Sequence, residues 1–177
     1  MKITTPGNEI NYLLQQTRVH HMHLSGMADL KANMLLTMSS IIVTLAVPRV
    51  LTEDGYVWPL LMLIVFSLIT IVLAAYAVMP KLPFFSRGKP PAPEVKGSHF
   101  NLLFFGDFSR MEYGQFAAEM EAALNEPSRV YELQVKEIYI LGSFLANTKY
   151  RYLRLAYGTF IGGLLASVGA LAFTRLH

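Results

Sequence analysis

Hydrophobic and polar positions alternate along this chain on a scale far longer than one secondary-structure turn. Three stretches free of Asp, Glu, Lys and Arg are each long enough to approach or exceed the roughly 20 residues, at 1.5 Å rise each, that cross a hydrocarbon core. The first lies between Lys31 and Arg49 and reads ANMLLTMSSIIVTLAVP, the shortest and most polar of the three. It spans only when upright or when its flanking side chains snorkel. The second runs from Tyr56 to Met79 with Tyr56 and Trp58 at one end, where amphipathic rings favour the interface. The third, from about Leu155 to Thr174, lies between Arg154 and Arg175, with Tyr152 and Tyr157 near its start.

The charges between these stretches set the expected orientation. Glu53 and Asp54 occupy the short turn between the first two, whereas Lys31, Lys81, Arg87, Lys89, Lys96, Lys149, Arg151 and Arg154 flank the other ends. Positive-inside bias puts those flanks and the N-terminus in the cytoplasm and Arg175 to His177 outside. Met1 to Glu9 lacks the basic region, apolar core and cleavage site of a secretory signal, so the N-terminus is expected to be kept.

Shorter periodicities fill in the rest. From Glu9 to Asn33 there is no Pro, and Ile10, Leu13, Leu14, Leu24, Met27 and Ala28 recur at helical spacing, predicting a one-faced helix that runs on into the membrane. PKLPFFSRGKPPAPEVKG, between Pro80 and Gly97, is an extended connector. Ser109 followed by Glu112 reads as a capping box, and Phe108 with Tyr113 as its hydrophobic staple, for a helix from Arg110 to about Leu124. Beyond the NEPS turn, a second helix starts near Ser128 and continues into the third span over about 70 Å, with Gly142 or Asn147 as the candidate flaw.

The expected architecture is an all-α membrane protein with three transmembrane helices, cytoplasmic helical extensions and a long helix leading into the last span. Its divisions are a cytoplasmic amphipathic helix (1–31), the first span (32–51), a periplasmic turn (52–56), the second span (57–79), a connector (80–99), a cytoplasmic helical sensor region (100–152), the third span (153–174) and a periplasmic tail (175–177).

Composition narrows the chemistry. Of 177 residues, 53% are hydrophobic and 15% charged, with a mean hydropathy of +0.38. That is too apolar for an ordinary water-soluble domain. No cysteine is present, which removes disulfides, zinc-thiolate and iron–sulfur centres and thiol nucleophiles. The net charge of +3 and pI near 9.2 are expected from cytoplasmic anchoring, with no nucleic-acid partner. GxSxG, GxxxxGK[ST], HExxH and a His-Asp doublet are all absent, so no enzyme is expected. His20, His21 and His23 do not form a metal set, because His21 leaves the face shared by the other two and no carboxylates or cysteines complete four ligands.

Two features mark candidate positions for an interface or for transmission, with ordinary packing and interfacial snorkelling as the alternatives. Gly158, Gly162, Ala166 and Ala170 recur every four residues, leaving a stripe that admits close approach of another helix, from this chain or a second copy. Asp29 and Lys31 stand at the cytoplasmic edge of the first span, where charge is costly unless paired or hydrated.

The order QQTRVHHMHLSGMADLKAN, NLLFFGDFSRMEY and LGSFLANTKYRYLRLAY, each in its place relative to the spans, resembles the transmembrane effectors of the Pycsar antiphage system, from about Gln15 to Phe173. The resemblance implies a bacterial inner-membrane effector, activated by cyclic UMP or cyclic CMP from a partner nucleotide cyclase, that damages the membrane and ends the infected cell. No cofactor is implied. Membrane lipids and a homo-oligomer are the further expected partners, and a membrane adaptor that recruits another effector is the alternative. A receptor for such a ligand needs a cation for the phosphate, polar groups for the base edge and a flat face for stacking. Lys149 or Arg151 could meet the phosphate, Asn101 and Asp107 the base, and Phe104, Phe105 or Tyr150 could stack. Equally, FNLLFF could be a hydrophobic wedge whose Asn101 and Asp107 cap backbone.

Overall fold

A computed structural model describes residues 7–52, 57–79 and 100–176. The Glu53–Asp54 turn, Tyr56, the Pro-rich connector and the extreme ends lie outside the described residues. Among the described residues every regular element is helical. They are α1 (Asn8–Thr52), α2 (Val57–Val78), α3 (Phe105–Phe108), α4 (Tyr113–Leu124), α5 (Pro127–Phe144), a π-helical turn (Leu145–Lys149) and α6 (Tyr150–Leu176). Three helices are long and apolar enough to cross a membrane: Asn8–Thr52, Val57–Val78 and the run Pro127–Leu176. The chain is thus an all-α membrane protein with a long helix at its C-terminal end, as its hydropathy pattern predicts.

The chain divides into two compact units, one from Met1–His23 and Pro80–Phe144, the other from Leu24–Met79 and Leu145–His177. In the second unit, α1, α2 and α6 meet through small side chains. Ala28, Ala32 and Leu35 of α1, Ala74 of α2 and Leu153 and Ala156 of α6 form its buried centre. Small residues let helix backbones come close, which favours association where lipid offers no hydrophobic drive. Three threonine hydroxyls inside these helices are satisfied locally: Thr37, Thr44 and Thr70 donate to the carbonyls of Asn33, Ser40 and Phe66 at 2.8–2.9 Å, whereas the buried Ser39 Oγ has no hydrogen-bond partner. Ser167 Oγ instead donates across to the Pro59 carbonyl at 3.0 Å, and the rings of Tyr76 and Tyr152 pack edge-on with centroids 4.4 Å apart. Ile41, Leu45, Val65, Leu68, Val72, Leu165 and Val168 point outward and are exposed, as a lipid-facing surface requires.

Gly163 marks the tightest approach. A Cβ built there would fall 2.4 Å from Cβ of Phe66, whereas one built on Gly158 or Gly162 meets nothing within 4 Å. The chain's own helix pairing therefore uses the face of Leu153, Ala156 and Gly163, and the Gly158 and Gly162 positions remain open to another molecule.

In the first unit, Phe100, Leu102 and Ala123 are buried, with Met111, Phe116, Met120 and Leu133 packed against them. Arg129 Nη2 donates to Glu119 Oε2 at 2.7 Å and ties α5 to α4. Pro127 opens α5, where a missing N–H costs nothing. The expected capping box does not form. Ser109 closes α3 in an αR conformation, and α4 starts at Tyr113 behind an extended Glu112 that makes no side-chain cap bond. Tyr113 is 83% exposed, so it is no staple either. The aromatic contact of Phe108 is with Phe116, centroids 5.1 Å apart. The hydrophobic positions around the cap are instead Met111 before it and Phe116 in the first turn after it, both packed on the same core. The predicted end at Leu124 holds, and of the two candidate flaws in the long helix, Asn147 lies in the π turn.

Candidate functional site

The π turn delivers Lys149 to α1. Such turns insert an extra residue into a helix and often accompany function. Lys149 Nζ donates to Asp29 Oδ1 at 2.7 Å, to Asp29 Oδ2 at 2.9 Å and to Ser25 Oγ at 2.8 Å. One residue later, the Tyr150 hydroxyl donates to the Leu24 carbonyl at 3.1 Å. The lysine side chain is only 12% exposed and the aspartate 40%, so the pair is desolvated chiefly on its cationic side. Ser25 and Asp29 are four residues apart and share one face of α1, which is why a single ammonium reaches both. This clasp belongs wholly to the unit that carries the three spans. Arg151 and Lys31 are both exposed.

Asn101, Phe104, Phe105 and Asp107 lie in the other unit. Asn101 is 2% exposed; its Oδ1 accepts the Leu103 N–H at 3.0 Å, and its own N–H donates to Asp107 Oδ2 at 2.9 Å. Both polar side chains thus engage backbone in a turn. Phe104 and Phe105 are exposed and lie against each other, centroids 5.0 Å apart. The ring of Phe104 covers Gly106, where any Cβ would fall 2.5 Å from Cε1.

His21 packs over Gly142, whose added Cβ would lie 3.1 Å from His21 Cε1; its Nδ1 is buried and has no hydrogen-bond partner. Among the described residues no group of three His, Cys, Asp or Glu could hold a metal ion.

One cavity has no counterpart in the sequence-based expectations. Asn11, Leu14, Gln15 and Arg18 of α1 face Gln134, Glu137 and Ile138 of α5 around about 340 Å³. Arg18 Nη2 meets Glu137 Oε1 at 3.1 Å, with the arginine side chain 50% and the glutamate 14% exposed. The signal is present as spacing: positions 11, 15 and 18 are i, i+4 and i+7, one helix face. On a single chain such a face reads as solvated surface.

Three membrane-length helices, an ion pair joining two of them and a second helical unit define the class: an all-α membrane protein. The chain belongs to the Pycsar effector family, because the sequence model of the Pycsar effector protein domain matches residues 12–175. No curated protein and no solved structure matches the chain. The resemblance seen in three short segments therefore extends over nearly the whole length, and membership implies a membrane-associated effector that works with a nucleotide cyclase.

Proposed function

We propose that this protein is a non-enzymatic antiphage effector of the bacterial inner membrane that binds cyclic UMP or cyclic CMP and then impairs the membrane, halting the infected cell. The observation that carries this reading is the family match across residues 12–175, joined to three membrane-length helices. In this reading the N-terminus is cytoplasmic and the C-terminus periplasmic, an orientation that the basic flanks favour. The signal is a population shift: nucleotide favours one packing of the helices only as far as it binds that packing better. Moving a resting equilibrium from 1:99 to 99:1 takes about 10⁴-fold differential affinity. A homo-oligomer reaches that with a modest preference at each of several sites, and the open face at Gly158 and Gly162 suits such assembly. The Asp29–Lys149 clasp, at the cytoplasmic edge of the spans, is the contact through which the packing change passes.

The test is a cell carrying this chain together with a pyrimidine nucleotide cyclase. Membrane potential is expected to collapse and growth to stop only when the cyclase is active. Unchanged potential while cyclic UMP and cyclic CMP accumulate would defeat the proposal.

A further inference from the structure

Resting on that functional reading, we infer that the cavity between α1 and α5 is the site of a pyrimidine 3′,5′-cyclic monophosphate, with Arg18 taking the phosphate, Glu137 the ribose 2′-hydroxyl and the amides of Gln15 and Gln134 the base edge. Three properties of the cavity support this.

The first is size. At about 340 Å³ it stands near the lower end of small-molecule pockets, roughly 300–1,000 Å³, which suits one nucleotide and not an oligonucleotide. Asn11 to Arg18 covers two turns, about 10 Å of helix, comparable with the length of a nucleoside monophosphate.

The second is the ion pair. A guanidinium carries five N–H donors in a fork that fits phosphate oxygens, and Glu137 meets Nη2. Arg18 is half exposed and can present its other donors to an anion, while the nearly buried Glu137 holds the guanidinium in place. A carboxylate beside a phosphate would repel it unless a donor stood between them. A 3′,5′-cyclic phosphate leaves the ribose 2′-hydroxyl as that donor, and an ionised carboxylate accepts it well.

The third is the lining. Asn and Gln amides each carry a donor and an acceptor, so they pair with the O2–N3–O4 edge of uracil or the O2–N3–N4 edge of cytosine by turning the amide. Leu14 and Ile138 supply the apolar wall for the flat base. Of the polar groups considered from sequence, Lys149 is engaged with Asp29 and Ser25, and Asn101 and Asp107 with backbone, while Arg151 is exposed on α6, in the other unit.

Calorimetry on the full chain in detergent or nanodiscs, titrated with cyclic UMP, cyclic CMP, cyclic AMP and cyclic GMP, tests the assignment. The wild type is expected to bind a pyrimidine nucleotide. Gln15→Ala and Gln134→Ala should each weaken it about tenfold, and Arg18→Ala up to about a hundredfold, the range for hydrogen bonds to charged groups. The 2′-deoxy analogue should bind the wild type more weakly, and Glu137→Gln should narrow that gap, an effect that loss of folding alone cannot produce. Should Arg18→Ala not yield monodisperse protein, the two glutamine variants decide. Wild-type binding left unchanged by all three alanine substitutions would overturn the site while leaving the proposed function intact. A wild type that binds none of the four nucleotides would overturn both.

Discussion

Substituting leucine at Gly163 is expected to separate α2 from α6 and lower the unfolding midpoint by roughly 5–10 °C, whereas leucine at Gly162 leaves the folded chain nearly as stable as before. A Cβ at 163 would stand 2.9 Å from Phe66 Cγ and 2.4 Å from Phe66 Cβ, an atom fixed by the backbone that no rotamer change can remove. Overpacking a tight contact typically costs about 1–3 kcal/mol, and for a chain of this size each kcal/mol moves Tm by about 2–4 °C. At Gly162 nothing lies within 4 Å, so the added side chain finds open space. If the open stripe serves self-association, Gly162→Leu loses the oligomer while keeping the folded chain, and the two variants separate folding from assembly. Thermal unfolding followed by size-exclusion chromatography reads both. Equal loss of stability in the two variants would contradict the helix pairing described.

Asp29→Ala has the second large effect. It leaves the Lys149 ammonium, 12% exposed, without its carboxylate. Breaking a fully buried pair from one side costs about 3–5 kcal/mol. Asp29 is 40% exposed, so solvent reaches the site and the expected loss is smaller, on the order of 2 kcal/mol. The exchange Asp29→Lys with Lys149→Asp should recover most of it, though Ser25 would then meet a carboxylate in place of an ammonium. Because the clasp is the proposed point of transmission, the nucleotide concentration that triggers leakage should also move about tenfold or more in Asp29→Ala, in either direction. A stability change with no movement of that threshold would make the pair structural and nothing more.

The spans are legible in the sequence because a water-soluble fold seldom leaves stretches of membrane length without a single charge. The π turn is half legible: Asn147 is a weak helix former inside a long apolar pattern, and it falls within Leu145–Lys149. The start of α4 is not legible, because Ser109 and Glu112 have the spacing of a capping box, whereas the helix starts at Tyr113 with Met111 and Phe116 packed on one core around its cap. Lys149 stands out along the chain as a cation near the membrane, but nothing in its sequence neighbourhood shows that Asp29 faces it. The α1–α5 cavity is hidden for the same reason. Each helix supplies an ordinary polar face, and the site exists only where Arg18 and Glu137 are brought together by the fold.

The central claim, that this chain converts a pyrimidine cyclic nucleotide into membrane damage without help from another protein, is tested most directly by purified full-length protein in liposomes loaded with a self-quenching dye. Dye release is expected on adding cyclic UMP or cyclic CMP and not on adding cyclic AMP or cyclic GMP. Binding of a pyrimidine cyclic nucleotide with no release of dye, from correctly inserted protein, would contradict the account and assign the damage to a recruited partner.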